Sequence, residues 1–454
     1  MRHIPLIISV LMGASASADD HLDIFVNIDV FELEVATDPQ ISPDGSTIAY
    51  VRAANDIMTD STRNNIWLVN SDGGDHRPLL SGTASYSNPR WSHDGNRLAY
   101  LSSAEGRGPQ LYVRWMDTGQ SALLSNLQNA PRGISWSPDD SQIAFSALVA
   151  TEQDQLATAP TMPEGAVWAP GVKVISDLNY RADGRGYLES GYSQIFLLPA
   201  DGGTPRQITQ GEFNHGGKLD WTPDGNEIIF SANRNEDWRE RERNSDLWSV
   251  NYRTGEMRQL TDRNGPDFAP SLSPDGSRLA YLGYEDRLMG YHNSQVSILD
   301  LNSGKITQLT EGLDRSIDWV EWAGNSRQLL ISFDDFGKRK LASVDMEGDL
   351  RPLESDVGSA GISRPYTSGD FTVSDNGAYA YTAGGPDRPA DVAFGHDDSA
   401  IRLTDLNADL LDHKTLGEVR EISWRSSVGD HDIYGWLVTP PGFDEAQQYP
   451  LLNV

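Results

Sequence analysis

Apolar and polar positions follow a repeating pattern along this chain. Short runs of alternating character, such as IWLVN at 66–70, QIFLLPA at 194–200 and QVSILDL at 295–301, predict strands. Between them stands a turn signature. ISPDGSTIAYV begins at Ile41, WSHDGNRLAYL at Trp91, WSPDDSQIAFS at Trp136, WTPDGNEIIFS at Trp221 and LSPDGSRLAYL at Leu272. WAGNSRQLLIS from Trp322 and VSDNGAYAYTA from Val373 are weaker copies. Ser accepts a hydrogen bond at the first turn position, Pro fixes φ at the second, and Gly takes the position where φ is positive. An apolar strand enters each turn and another leaves it, so each copy predicts a β-hairpin. The copies recur about every 50 residues. One longer step, from Asp139 to Asp224, contains an insertion over 150–190.

A second turn signal lies in the other half of each period: SDGGDHRPLL from Ser71, ADGGTPRQIT from Ala200, RTGEMRQLT from Arg253 and NSGKITQLT from Asn302. Two hairpins per period make four strands. The pattern therefore predicts an all-β chain, a seven-bladed β-propeller of four-stranded blades over 38–415, behind a lead-in segment at 19–37. Sandwich strands lack so strict a turn signature, and β-helix coils are much shorter. No helix is predicted between Asp38 and Leu411. The recurring Trp91, Trp136, Trp221 and Trp322 are predicted to lie in the core between blades.

Composition narrows the function. The 454 residues carry 36 Lys and Arg against 66 Asp and Glu, a net charge of −30. That excludes a counterion-releasing nucleic-acid face and attraction to anionic membranes. There is no Cys, so disulfides and thiolate chemistry are excluded. Residues 1–18 read as a secretory signal peptide: Arg2, an apolar stretch over 4–12, then Ala16-Ser17-Ala18. The expectation is export to a bacterial periplasm, without membrane insertion once the peptide is cleaved.

Candidate chemistry is sparse. There is no Gly-x-Ser-x-Gly elbow, and the nearest approach, Gly361 to Pro365, opens no helix. The run from Gly211 to Leu219 lacks the Lys and hydroxyl placement of a phosphate loop. His396-Asp397-Asp398 and Asp430-His431-Asp432 lack paired ligand spacing and read as turns, so no metal or cofactor is predicted. RNEDWRERERNSDLW, at 234–248, alternates in sign. It reads as a solvated loop or short salt-bridged helix, or as a charged loop at a propeller mouth. In the second reading Glu236 and Asp237 meet a cation such as a peptide amino terminus, and Arg239 joins them in contacting substrate. The 150–190 insertion, rich in Gly, Tyr and Arg, reads as lining a binding face or as a packing hairpin.

The C-terminal runs IRLTDLNADLL (401–411) and REISWRSSVGDHDIYGWLVTPPGFDEAQQYPLLNV (420–454) resemble the prolyl oligopeptidase family of serine peptidases, in its acylaminoacyl-peptidase and dipeptidyl-peptidase-like branch. Leu403, Thr404, Leu406 and Asn407 match the segment that closes that family's propeller. Ile433, Gly435 and Trp436, then 440–443 and 449–451, match the strands and turn that open its α/β-hydrolase domain. Gly429-Asp430 stands where the family usually has Asp-Gly. The resemblance implies a propeller cap followed, at 416–454, by the first strands of a truncated hydrolase domain. The implied activity is hydrolysis of short peptides by a Ser-His-Asp triad lying beyond Val454. No catalytic residue is then assigned within the chain, which alone would be inactive. The alternative is a complete periplasmic TolB-like propeller acting as a protein-binding module.

Overall fold

The turn signature folds as its chemistry dictates. The hydroxyls of Ser42, Ser92, Ser137, Thr222 and Ser273 donate to the carboxylates of Asp44, Asp94, Asp139, Asp224 and Asp275 at 2.6–2.7 Å. The same hydroxyls accept the backbone N–H five residues on, at 2.9–3.0 Å. Gly45, Gly95, Gly225 and Gly276 hold the positive φ, and in the third copy Asp140 takes it at +57°. The computed structural model describes residues 23–104, 108–151, 157, 160–169, 174–175, 177–358, 367–397 and 399–453. The segment read as a signal peptide and the Gly361 to Pro365 stretch lie outside them.

Each period is a four-stranded antiparallel meander. The first sheet runs Glu34–Ile41, Thr47–Asp56, Ser61–Asn70 and Arg77–Leu80. It starts inside the 19–37 segment that the sequence assigns to the lead-in. The next four sheets open with Tyr86–Trp91, Arg132–Trp136, His215–Trp221 and Asp267–Leu272. The last sheet has eight strands, two four-stranded halves opening with Ile317–Trp322 and Phe371–Val373, joined by the single pairing Val357↔Ala383. One turn of helix, Ala408–Leu411, ends the series where the sequence predicts none.

Hydrophobic clusters fill the spaces between consecutive sheets. Tyr50, Ile48 and Ala36 of the first sheet pack with Ala378, Ala380 and Val392 of the last half, so the series closes on itself. Phe145 and Ile143 share a cluster with Leu111 and Val113, and Phe230 shares one with Ile195 and Leu197. The recurring Trp residues do lie between sheets, and three of them also bond there. The indole N–H groups of Trp91, Trp136 and Trp322 donate to the carbonyls of Gln40, Arg90 and Ser271 on the preceding sheet, at 2.8–3.0 Å. The indole N–H of Trp221 has no such partner.

The opening strands are bulged. Register slips occur at Thr37/Gln40, Ser87/Arg90 and Phe268/Ser271, where Asp38, Asn88 and Ala269 adopt φ of +47°, +56° and +51°. Charged side chains on these strands cross between sheets. Arg90 binds both carboxylate oxygens of Asp38 at 3.0 Å. Lys218 of the fourth sheet reaches Glu321 of the sixth at 2.8 Å, passing over the fifth, whose Ser271 also donates to Glu321.

Among the described residues closure uses side chains, and no strand is exchanged. Asn407 accepts from Glu34 N–H and donates to Glu34 C=O, both at 2.8 Å. Thr372 Oγ1 accepts from Ile41 N–H and donates to Pro39 C=O. In an antiparallel meander the first and third turns share one rim, and the second turns and sheet-to-sheet connections share the other. The 150–190 insertion and the 234–245 loop are both second turns. The strand that begins at Glu34 starts from their rim, and the strand that ends at Arg402 arrives there.

A second compact unit comprises residues up to Asp29 and from Asp409 on. In it Lys414 Nζ lies 3.0 Å from both Asp23 and Asp29. The strands Val419–Arg425 and Asp432–Val438 form a hairpin. Tyr449, Pro450 and Leu451, matched by resemblance to a strand, form none here. A strand needs a partner for its backbone groups, and none lies beside them among the described residues. No helix among the described residues is long and apolar enough to cross a membrane.

Candidate functional site

The 234–245 loop joins Glu227–Ala232 to Asp246–Asn251. Its alternating charges do not build a salt-bridged helix. Asp237 C=O accepts from Glu240 N–H and Arg241 N–H, a single turn that is not continued into a helix. Its charges bond outward instead. Arg239 lies 4.4 Å from the ring centre of Trp238 and donates to Tyr192 Oη at 3.1 Å, with Glu212 at 3.4 Å. Arg241 bonds to Asn264. Trp238 packs edge-on to Tyr192 and tilted to Phe213.

Glu236 and Asp237 are exposed, and neither carboxylate has an ion pair among the described residues. The structure thus brings Glu236, Asp237 and Arg239 onto one short loop but engages only Arg239. Two adjacent unpaired carboxylates on a loop backed by aromatic side chains are suited to receiving a cation.

Behind the loop lies a polar relay that the sequence reading missed. Thr209 Oγ1 donates to Gln194 Oε1 at 2.8 Å, and His215 Nδ1–H donates to the same oxygen at 3.0 Å. Gln194 Nε2 donates to the carbonyls of Gly211 and Phe213. With Nδ1 protonated, His215 Nε2 accepts from Arg234 at 2.7 Å. His215 is fully buried, and burial together with the Arg234 charge pushes its pKa down to about 4, so it is neutral at pH 7. A signal for part of this was present. The Thr or Ser ending the period recurs and accepts a backbone N–H in the same way at Ser125, Thr209, Thr261, Thr310 and Thr404.

Gln110 and Gln295 open the third strands of their sheets, Gln194 stands inside the strand Gly191–Pro199, and each accepts from a Ser or Thr hydroxyl; in the fourth sheet Asp246 opens the third strand instead. It is buried directly after the loop, and its Oδ1 has no hydrogen-bond partner. Burial, reinforced by the nearby Asp267 and Asp262, raises its pKa to about 7. Asp267, also buried, bonds to Arg263 and keeps Oδ2 without a partner.

A separate cavity of about 750 Å³ lies at the opposite rim, against the first turns, lined in part by Asp44, Asp75, His93, Asp94 and Asp375. It holds none of the residues just described. Among the described residues, no group of three or more His, Asp or Glu is placed to hold a metal ion.

Residues 184–286, which include this loop and relay, match the family of the dipeptidyl peptidase IV (DPP IV) N-terminal region. The uncharacterized peptidase YuxL of Bacillus subtilis is 27% identical over 93% of this chain and 65% of its own length. Dipeptidyl-peptidase 5 of Porphyromonas gingivalis is 24% identical over 91% of this chain and 60% of its own. The chain thus spans less than two thirds of these relatives. An acylaminoacyl peptidase structure, determined with Z-Gly-Gly-Phe-chloromethyl ketone, superposes with a TM-score of 0.73 at 18% identity, covering 92% of this chain and 60% of that one. The β-propeller domain of the Trilobed protease from Pyrococcus furiosus gives 0.58 at 14% identity, covering 84% and 98%. Both structures carry the likeness of fold alone, and that fold is propeller-like. The regional match and the two peptidase relatives, with these neighbours of fold, make this chain similar to the N-terminal propeller region of prolyl oligopeptidase-family peptidases.

Proposed function

We propose that the sheets between Glu34 and Arg402 are the seven blades of a propeller serving a peptidase that acts on short peptides, and that Glu236 and Asp237 receive the substrate's amino terminus. Arg239 holds the loop through Tyr192 and Glu212. The observation that carries this reading is a pair of adjacent, exposed, unpaired carboxylates inside the region matching the dipeptidyl peptidase IV N-terminal family. In this proposal peptide-bond cleavage belongs to a Ser-His-Asp triad outside the 454 residues, in the opening strands' wider hydrolase domain. The ring of blades limits access to short substrates, and residues 1–18 direct export.

The test uses the full-length protein and two chromogenic dipeptidyl substrates, one with a free amino terminus and one N-acylated. The paired substitution Glu236→Gln and Asp237→Asn is expected to raise KM about fivefold for the free-amino substrate, the worth of about 1 kcal/mol for a solvent-accessible pair. The N-acylated substrate should be unaffected. Equal effects on both substrates would remove the assigned role of the loop. Failure of the wild-type protein to cleave either would remove the peptidase reading.

A further inference from the structure

The loop that presents Glu236 and Asp237 also holds a cation, Arg234, with no carboxylate partner among the described residues. Arg234 is half-buried, and burial lowers its affinity for its proton. Its guanidinium lies 4.7 Å from the ring centre of Phe213 and 5.3 Å from that of Trp248. One N–H bonds to His215. No carboxylate pairs with it among the described residues, in a chain with a net charge of −30. Arg90, Arg239, Arg315 and Arg339 by contrast each meet at least one carboxylate.

The relay behind Arg234 is satisfied at each step and converges on Gln194. Thr209 and His215 both donate to Gln194 Oε1, which leaves His215 Nε2 as an acceptor for Arg234 and for nothing else. Thr209, Gln194 and His215 are at most 2% exposed. Stacking alone requires no such support. Arg253, 4.9 Å from the ring of Tyr252, has its guanidinium tied, among the described residues, to the half-buried Asn226. A neutral buried His also positions a guanidinium without neutralising it, which a carboxylate would do. The remaining guanidinium edge keeps its charge and its planar donors, the arrangement that matches a carboxylate.

We propose that Arg234 is a carboxylate-binding subsite for the peptide substrate. The carboxylate is either the peptide's own C-terminus or an acidic side chain. The inference rests on the peptidase reading above and deepens it: one loop then offers carboxylates to the amino end of a peptide and a guanidinium to its anionic part. Arg234 binds and orients substrate and takes no part in bond cleavage.

The test compares three peptides of one sequence on the full-length protein: the C-terminal acid, the C-terminal amide, and the amide with Glu in place of an internal Gln. At least one carboxylate-bearing peptide should show a KM about tenfold below that of the neutral amide, the scale of one charge-assisted bidentate pair. Which of the two does so identifies the source of the carboxylate. Arg234→Gln should erase the difference between the carboxylate-bearing peptides and the neutral amide, and Arg234→Lys should retain part of it. Equal KM for all three peptides on the wild-type protein would overturn the inference, and that comparison stands even if a variant fails to fold. A preference that survives Arg234→Gln, with only stability lowered, would make Arg234 a packing residue. If none of the peptides is cleaved, the peptidase reading fails instead. Fluorescence titration of the same protein, read at Trp248 beside Arg234, then tests the subsite by itself, with a response to a carboxylate-bearing peptide and none to the neutral amide.

Discussion

Asn407→Ala should open the seam where the series of sheets returns to its start. The Asn407 amide imitates a strand, accepting from Glu34 N–H and donating to Glu34 C=O, each at 2.8 Å. Its side chain is 4% exposed, next to the cluster that joins Ala36 and Tyr50 to Ala380 and Val392. Truncation leaves both backbone groups of Glu34 without these partners in a partly buried place. At about 1–2 kcal/mol for each group, the loss is about 2–4 kcal/mol. For a cooperative unit of this size, that lowers Tm by about 4–8 °C, at about 2 °C per kcal/mol. Urea unfolding should show a lower midpoint with an unchanged slope, because the surface exposed on unfolding is the same. Asn407→Asp keeps the acceptor but loses the donor and sets a charge against the Glu34 carbonyl, so it should be no more stable than the alanine variant. Asn302→Ala, in an exposed turn, should change stability by no more than about 0.5 kcal/mol. A loss below about 0.5 kcal/mol for Asn407→Ala would show that packing alone holds the seam.

Further outcomes follow from the buried groups. His215, with its pKa depressed to about 4, stabilises the fold fully above about pH 6.5 and loses that contribution as pH falls towards 4. His215→Gln should flatten that acid limb of a stability–pH curve, and an unchanged limb would refute the assignment. Asp246 has the opposite sign. Its pKa is raised to about 7, so its contribution is complete below about pH 4 and is lost as pH rises through 7. Asp246→Asn should therefore gain on the wild type at pH 8 and not at pH 4, as chemical denaturation at the two pH values would show. Lys218→Met and Glu321→Gln should each destabilise by about 1–2 kcal/mol, because each strands a half-buried partner, while the double variant recovers about 1 kcal/mol. Strict additivity would mean that the 2.8 Å pair carries no coupling.

Local chemistry was legible in the sequence, and long-range pairing was not. The Ser-Pro-Asp-Gly turns and the Trp spacing announce hairpins and an inter-sheet core because each signal is confined to a few adjacent residues. The bulges carry no such mark, and Ala269 takes a left-handed conformation that no turn code assigns to alanine. The charge alternation at 234–248 fits a loop or a salt-bridged helix equally, and the structure forms a loop whose Arg239 and Arg241 bond to other segments. Glu236 and Asp237 were visible as adjacent acids, whereas Arg234 met His215 across 19 residues and Asn407 met Glu34 across 373. Such partners become neighbours only when whole sheets dock.

The two rims of the sheet series have divided duties, and that division bears on how such a molecule can change. On one rim repeated hydroxyl–carboxylate turns are linked from sheet to sheet, as where Asp140 accepts from the backbone of His93 and Asp94. On the other, segment lengths range from the tight hairpin between Asp335 and Lys338 to the long excursion between Ala150 and Gly191. Residues added there enter solvent beyond the last paired positions and disturb none of the clusters. Selection can therefore try new surfaces on one side while the architecture is inherited intact from the other.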